Sequence, residues 1–552
     1  MTTYRIILCV AALATVCIGC KKTAPVQPQQ AEVLFRWQFI GTSKIGADTN
    51  ANWFNRIAAL PATAEFRDEL LQKLARGPHQ LLKHRINAAT NDYAELLKPL
   101  LADLTCAESV AELRAVSNQP SEFVLAVELP EQRATLWQSN IAFVLKAWTA
   151  CDPKSFEANQ STGWQLQKHH APNLIRFERV GRWVIFGFGH DNLSLFAEYA
   201  QSIRNNGRPI PVNTQLTNQP ILECFIDLPR IQDRLKNQVG IDLQVPLPVI
   251  NLTITSLPDE IVTRADLEFA QPFNWSANQW SIPTNTIREP LISFTACRGV
   301  RPVLEKLKLL NDLGVTPAPD QLYVWALQDV PFQTFLAVPA QDTTNFIKRL
   351  ETVLRERLVP MLQKRSLGSI EPDSEAGAGL VWRGLPFIGP YIVPVTEPAG
   401  EFLLLGLFPN SPLTNPPPPE LYAQFVNRPE IAYYDWEITQ VRFHQLWNLC
   451  QLTRLIAEKP QLNTQTATWK WLDSVSTNLG NTATHITVNN SQKLTFVRRS
   501  QLGLSAIELV AFANWFDAPG FPFCGIVLPS RRTTTDTHLT PTTTNAQTRR
   551  QH

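Results

Sequence analysis

One order of strands and helices runs through this chain twice, and that repetition narrows the folds open to it. Leu125-Ala126-Val127, an apolar strand ahead of a helix, is matched by Leu336-Ala337-Val338. Val184-Ile185-Phe186-Gly187, a strand running into a turn, is matched by Leu403-Leu404-Leu405-Gly406. Cys224-Phe225-Ile226-Asp227, a strand entering a helix, is matched by Ala432-Tyr433-Tyr434-Asp435. All three separations are about 210 positions. Short apolar matches are cheap, so the shared order of elements carries the argument. The unit reads strand, helix, strand pair, short helix, strand, helix, hairpin. Hairpins outnumber βαβ crossovers, which predicts an α+β fold of two similar halves, each a mainly antiparallel sheet with helices on one face.

At 552 residues the chain exceeds one ordinary core. The halves are placed at 32–280 and 281–528, with a helical insertion at 51–113 in the first half that has no counterpart in the second. Within that insertion Thr63–Leu74 is amphipathic, with Phe66, Leu70, Leu71 and Leu74 on one face. Helix is expected to continue from His79 to Leu113, broken or kinked at Pro99. Phe35, Trp37 and Phe39 alternate with Arg36 and Gln38, the period of a strand. Trp164–Phe177 and Leu504–Ala513 also read as strands, and Asp342 is placed to cap a helix over Thr344–Leu362. From Arg531 the chain is Thr-rich, and 529–552 is expected to be a disordered tail.

The N-terminus points to a location. Arg5 precedes an apolar run, Ile6–Ile18, of signal-peptide length and too short to span a bilayer. It ends in Cys17-Ile18-Gly19-Cys20. A small residue directly before a Cys at the end of such a core resembles the lipobox of bacterial lipoproteins, although Cys17 stands where Leu is usual. That resemblance implies removal of a signal peptide, 1–19, and acylation of Cys20, followed by a polar, Pro-containing tether, 20–31. It also implies a cell-envelope protein held to the membrane by its lipid. Lys21 is not the acidic residue tied to inner-membrane retention, so the outer membrane, facing the periplasm, is expected.

Arg182-Trp183-Val184-Ile185-Phe186-Gly187, the helical segment Leu193–Ile203 and Phe225-Ile226-Asp227-Leu228 together give a layout of charged turn, apolar strand, short helix and strand into helix. In outline this resembles uncharacterised envelope lipoproteins of planctomycete and verrucomicrobial type, built from paired halves. The resemblance lends no activity and no catalytic residues.

Chemistry-bearing motifs are sparse. There is no Walker A, Ser-x-x-Lys or His-Glu-x-x-His pattern, and Gly187-Phe188-Gly189 lacks the third Gly of a dinucleotide fingerprint. No cofactor or metal is therefore expected, and the chain reads as leaning away from an enzyme. A net charge of +2 offers no bulk attraction for nucleic acid. His169-His170 is an isolated pair without nearby ligands, as a surface loop would carry. Cysteines outside the leader are scattered, and buried free thiols are expected for most. Asp227 and Asp435 sit at what read as equivalent strand-to-helix junctions. They are either a ligand site used once per half or capping carboxylates, for which local backbone donors suffice.

Three functional readings follow. The first is a non-enzymatic envelope lipoprotein that binds a protein partner or supports an assembly. The second is a carrier of lipid or another apolar ligand, with Trp37, Trp183 and Trp436 as candidate walls of a greasy cavity. The third is a hydrolase with dispersed residues, such as His444 near Asp435. A large apolar pocket favours the second, and convergence of His and carboxylate side chains in a cleft favours the third.

Overall fold

The computed structural model describes residues 32–523 except 49–50, 83–91, 116–120, 159–160, 168–172, 191, 210–219, 240–245, 274, 276–277, 306–316, 329–332, 374–378, 386–387, 409–414 and 459. The leader, Cys20, the tether, His169-His170, Cys524 and the Thr-rich tail lie outside the described residues.

Strand β1 (Glu32–Phe39) is followed by three helices, α1 (Thr42–Ala47), α2 (Asn52–Ala58) and α3 (Pro61–Leu82), and then by α4 (Ala94–Cys106). Next come β2 (Ser109–Ala115), β3 (Glu122–Glu128), α5 (Glu131–Thr149), β4 (Lys154–Ala158), β5 (Ser161–Gln167), β6 (Asn173–Val180) and β7 (Trp183–His190). Helix α6 (Ser194–Asn206), β8 (Leu222–Asp227), α7 (Leu228–Val239) and the hairpin β9 (Pro248–Ser256) and β10 (Ile261–Phe269) complete this first set.

The order then recurs. It runs β11 (Leu291–Arg298), α8 (Arg301–Leu304), β12 (Gln321–Leu327), β13 (Thr334–Pro339), α9 (Thr343–Arg357), α10 (Val359–Lys364), β14 (Ser369–Asp373), β15 (Gly379–Arg383), β16 (Tyr391–Glu397) and β17 (Gly400–Gly406). After these come α11 (Pro419–Ala423), β18 (Ile431–Ile438), α12 (Thr439–Ile456), α13 (Ala467–Ser476), β19 (Asn481–Asn490), β20 (Lys493–Ser500) and α14 (Ala506–Phe516).

Every strand pairing is antiparallel, as expected for an α+β chain rich in hairpins. In the first set the strands lie side by side as β4-β5-β6-β7-β3-β2-β1-β8-β9-β10. In the second they lie as β14-β15-β16-β17-β13-β12-β11-β18-β19-β20, the same order strand for strand. The sets join through their last strands, β10 against β20, with Ala265 opposite Phe496.

Several expectations need correction. The helix through Leu113 ends at Cys106; Ser109–Ala115 is instead β2, held on both sides by β1 and β3. Its alternating Val110, Glu112 and Arg114 conceal a strand because Glu112 is buried among ion pairs. Trp164–Phe177 is not one strand but parts of two, β5 and β6, paired to each other. Leu504–Ala513 is not a strand. Ser505 and Glu508 form a capping box, and Leu509, Val510, Ala513 and Phe516 are buried at helical spacing. Both strand and helix templates fit so apolar a run, and the cap decides between them. Asp342 does cap α9, accepting from the Asn345 amide at 3.4 Å, but the helix over Thr344–Leu362 divides into α9 and α10 at Leu358.

The helical insertion serves both strand sets. Helix α4 packs on α5, where Asp103 accepts from Arg133 and, at 2.8 Å, from Trp137 Nε1. Helix α3 reaches the other set. Phe66 stacks on Trp471 of α13 at 4.4 Å between ring centroids, and Lys73 donates to the Phe516 carbonyl of α14 at 3.2 Å. Aromatic pairs of this kind contribute about 1 kcal/mol beyond the area they bury.

Candidate functional site

Asp227 and Asp435 prove to have different jobs. Asp227 is the last residue of β8; it accepts from the Arg230 amide at 3.1 Å and pairs with the Arg230 guanidinium at 3.1 Å. It is a capping carboxylate. Asp435 lies within β18, three residues before its end. The ladder shows that the two are not equivalent. Trp37 of β1 faces Cys224, whereas Thr295, in the matching place on β11, faces Asp435. Cys224 therefore holds the position of Asp435 and Ile438 that of Asp227, which corrects the sequence alignment of these two segments by three residues.

Asp435 belongs to a buried polar row crossing four strands. Thr295, Asp435, Thr484 and Arg498 stand opposite one another on β11, β18, β19 and β20. Thr295 Oγ1 donates to Asp435 at 2.6 Å, and Arg498 Nε donates to Thr484 Oγ1 at 2.9 Å. The Arg498 guanidinium also meets Glu508 of α14 and the Gly503 carbonyl. Two residues along β18, Glu437 accepts from the Ala506 amide at 2.6 Å. Burial raises the carboxyl of Asp435 above its ordinary range. Burial and the neighbouring Asp435 charge push Glu437 up to about 7. In the first set the same four ladder places hold Trp37, Cys224, Leu252 and Ala265, with no charge among them.

Beside this row lies a cavity of about 450 Å³. Its floor is a second row across the sheet: Leu336 of β13, Leu405 of β17, Ile392 of β16 and Leu380 of β15, each opposite the next. Leu354 of α9 and Leu449 of α12 form the roof, and Trp382 stands at the side. Phe335 and Tyr391 border the space too, but they belong to the core cluster on the opposite face of the sheet. The walls are apolar apart from Thr334, Arg442, the Trp382 indole N–H and the Tyr391 hydroxyl.

Arg442, on the first turn of α12, is 9% exposed. Its Nη1 donates to Thr334 Oγ1 and to Gln445 Oε1, both at 3.1 Å. Among the described residues it forms no ion pair, although Glu437 and Asp435 act on it at longer range. Burial pulls its pKa down, against the attraction of those two carboxylates.

In the first strand set the matching region holds larger side chains. There the floor row is Leu125, Phe186, Phe177 and Trp164. Phe177 and Trp164 stack at 5.6 Å, and Leu100 of α4 enters the same cluster as Trp137 of α5. Aromatic rings and an added helix occupy the volume that smaller aliphatic residues leave open in the second set.

Trp37, Trp183 and Trp436, named from sequence as cavity walls, do not line the cavity. Trp183 donates to the Gly207 carbonyl at 3.0 Å, Trp37 reaches Ser109 at 3.4 Å, and Trp436 packs on the aromatic cluster across the sheet. Sequence reasoning missed Arg442 and Thr334; the only available signal was a charged residue at the start of an otherwise apolar helical face, Val441–Leu455. His444 is 3.2 Å from Ser476 Oγ and edge-on to Phe443, rather than beside a carboxylate. Ser476 itself donates to the Asp473 carbonyl at 2.7 Å. Among the described residues no three His, Cys, Asp or Glu side chains are grouped to hold a metal ion, and the five described cysteines are free. No described helix is long and apolar enough to cross a membrane. No family model matches the sequence, and neither a curated protein nor a solved structure matches it.

Proposed function

We propose that this protein is a binding protein for an apolar small molecule of acyl-chain type, tethered to the bacterial envelope through Cys20 and performing no catalysis on its ligand. The observation that carries the reading is the cavity between α9, α12 and the sheet. At about 450 Å³ it falls within the range of about 300–1,000 Å³ common to ligand pockets. Its four floor residues are aliphatic where their ladder counterparts include three aromatic rings. The reading as a partner of an envelope assembly rests on the anchor and tether alone, and the cavity ranks ligand binding above it. The hydrolase reading is weakened by the contacts of His444, which bring no carboxylate to it among the described residues.

The test is native mass spectrometry of the full chain in phosphatidylcholine nanodiscs, followed by solvent extraction. An apolar adduct of defined mass is expected on the wild type and not on Ile392→Phe/Leu405→Phe, which brings the larger rings of Phe177 and Phe186 to the floor. A bare wild-type mass after addition of long-chain acyl compounds removes the proposal. The anchor is tested separately by incorporation of labelled palmitate, which Cys20→Ser should abolish.

A further inference from the structure

The cavity has one charged end, and that end specifies a ligand. Arg442 is nine-tenths buried, lines an apolar space and, among the described residues, donates to two neutral oxygens and no carboxylate. A guanidinium carries five N–H donors, and a buried cation without a close anion is costly. Core packing alone does not call for such a group: a Met or Leu would fill the start of α12 more cheaply. Asp435 and Glu437 act on Arg442 at longer range and repel an incoming anion, a dianion more than a monoanion. The shape adds the rest. Thr334 and Arg442 lie together at the polar end, while Leu336, Leu405, Ile392 and Leu380 run away from β13 toward the outer strands.

Resting on the reading of the cavity as a ligand site, we propose that it takes a fatty acid, with the carboxylate held by Arg442 and Thr334 and the acyl chain laid along the leucine and isoleucine row of β13, β17, β16 and β15. The contact is non-covalent. Arg442 keeps its bond to Gln445 and turns its remaining donors to the carboxylate; Thr334 donates its hydroxyl proton to the same group. A carboxylate brings the guanidinium both hydrogen-bond acceptors and a counter-charge, whereas an alcohol of equal length brings a neutral oxygen and no counter-charge.

The experiment compares isotope-labelled dodecanoate with dodecanol on the full chain in phosphatidylcholine nanodiscs, with empty discs subtracted. The expected result is a dodecanoate affinity at least about tenfold above that of dodecanol. Arg442→Met should erase that preference, with dodecanoate losing more affinity than dodecanol, and Arg442→Lys should restore part of it. The comparison on the wild type needs no variant, so it stands even if Arg442→Met folds poorly. Equal affinities for acid and alcohol in the wild type overturn the head-group assignment and leave the apolar cavity in place. Binding of neither, or binding of both that survives Ile392→Phe/Leu405→Phe, overturns the cavity reading itself.

Discussion

The two strand sets share one pairing order and spend it differently. On the helix-covered face of β3, β7, β6 and β5, Phe186, Phe177 and Trp164 fill the space, and α4 is clamped over them through Asp103 and Arg133. On β13, β17, β16 and β15 the matching places carry Leu405, Ile392 and Leu380, no described helix corresponds to α4, and a cavity remains. Polarity differs at matched places as well. In the first set Glu112 and Glu178 are buried in ion pairs with Arg36, Arg114, Arg176 and Arg204. Their ladder counterparts, Trp325 and Val393, lie in or against an aromatic cluster that includes Tyr323 and Phe294. The second set carries buried charges on the cavity side, at Asp435, Glu437, Arg442 and Arg498, and on the aromatic side at Arg298 and Glu397. One scaffold thus yields a packed module and a hollow one by exchanging ring size and charge at fixed ladder positions.

The sharpest way to break this comparison is to truncate matched residues. Phe177→Ala should cost about 3–5 kcal/mol, because the ring is fully buried and stacked and its removal leaves a void. Ile392→Ala, at the matching place, should cost about 1 kcal/mol, because one side of this residue already faces open space. Urea unfolding of both variants, followed by a probe for each strand set, reads the difference; equal losses would mean that the cavity floor is packed as tightly as its counterpart.

The charged row makes a pH prediction of nearly the same size. The unfolded chain releases the Glu437 proton near 4.5, and the folded chain holds it until about 7. Between these values the folded state binds more protons, so stability falls as pH rises through that window and levels off above it. The span corresponds to on the order of 3 kcal/mol. Glu437→Gln keeps the Oε1 that accepts from Ala506 and cannot ionise. It should flatten this part of the pH profile and raise the melting temperature above pH 7, measured by calorimetry. A wild-type profile that rises from 4.5 to 7 at this site would refute the assignment.

The two aspartates offer a smaller test. Asp227→Ala removes a helix cap and should cost about 1 kcal/mol at neutral pH with little effect on ligand binding. The smallest effect contrasts two thiols. Burial pushes Cys224 up to about 12, whereas Cys106 is exposed. A maleimide should label Cys106 in the native protein within minutes and reach Cys224 only on unfolding. Rapid native labelling of Cys224 would show that the ladder place matched to Asp435 is open rather than packed.

Much of the fold was legible in the chain itself, for identifiable reasons. Leu125-Ala126-Val127 and Leu336-Ala337-Val338 are indeed ladder counterparts, as are Val184–Gly187 and Leu403–Gly406. These strands are apolar runs with a turn or helix directly behind them, a pattern that local sequence encodes. The third match failed because Asp227 and Asp435 look alike as letters while one caps a helix and the other is cross-linked to Thr295 on a neighbouring strand. Strand β2 was hidden because its Glu112 reads as a solvent residue, and its Arg36 and Tyr199 partners come from elsewhere in the chain.

The sequence by itself determined much of the element order, the antiparallel character and the aliphatic or aromatic identity of each floor residue. Periodicity and turn chemistry act over a few residues, and the chain states them directly. Only the tertiary structure decided that Trp164, Phe177 and Phe186 stand where Leu380, Ile392 and Leu405 do, that α4 covers the first row, and that Arg442 closes one end of the second. Each of those facts depends on register between strands far apart in the chain. A cavity is a volume left between such elements, so no single segment encodes it.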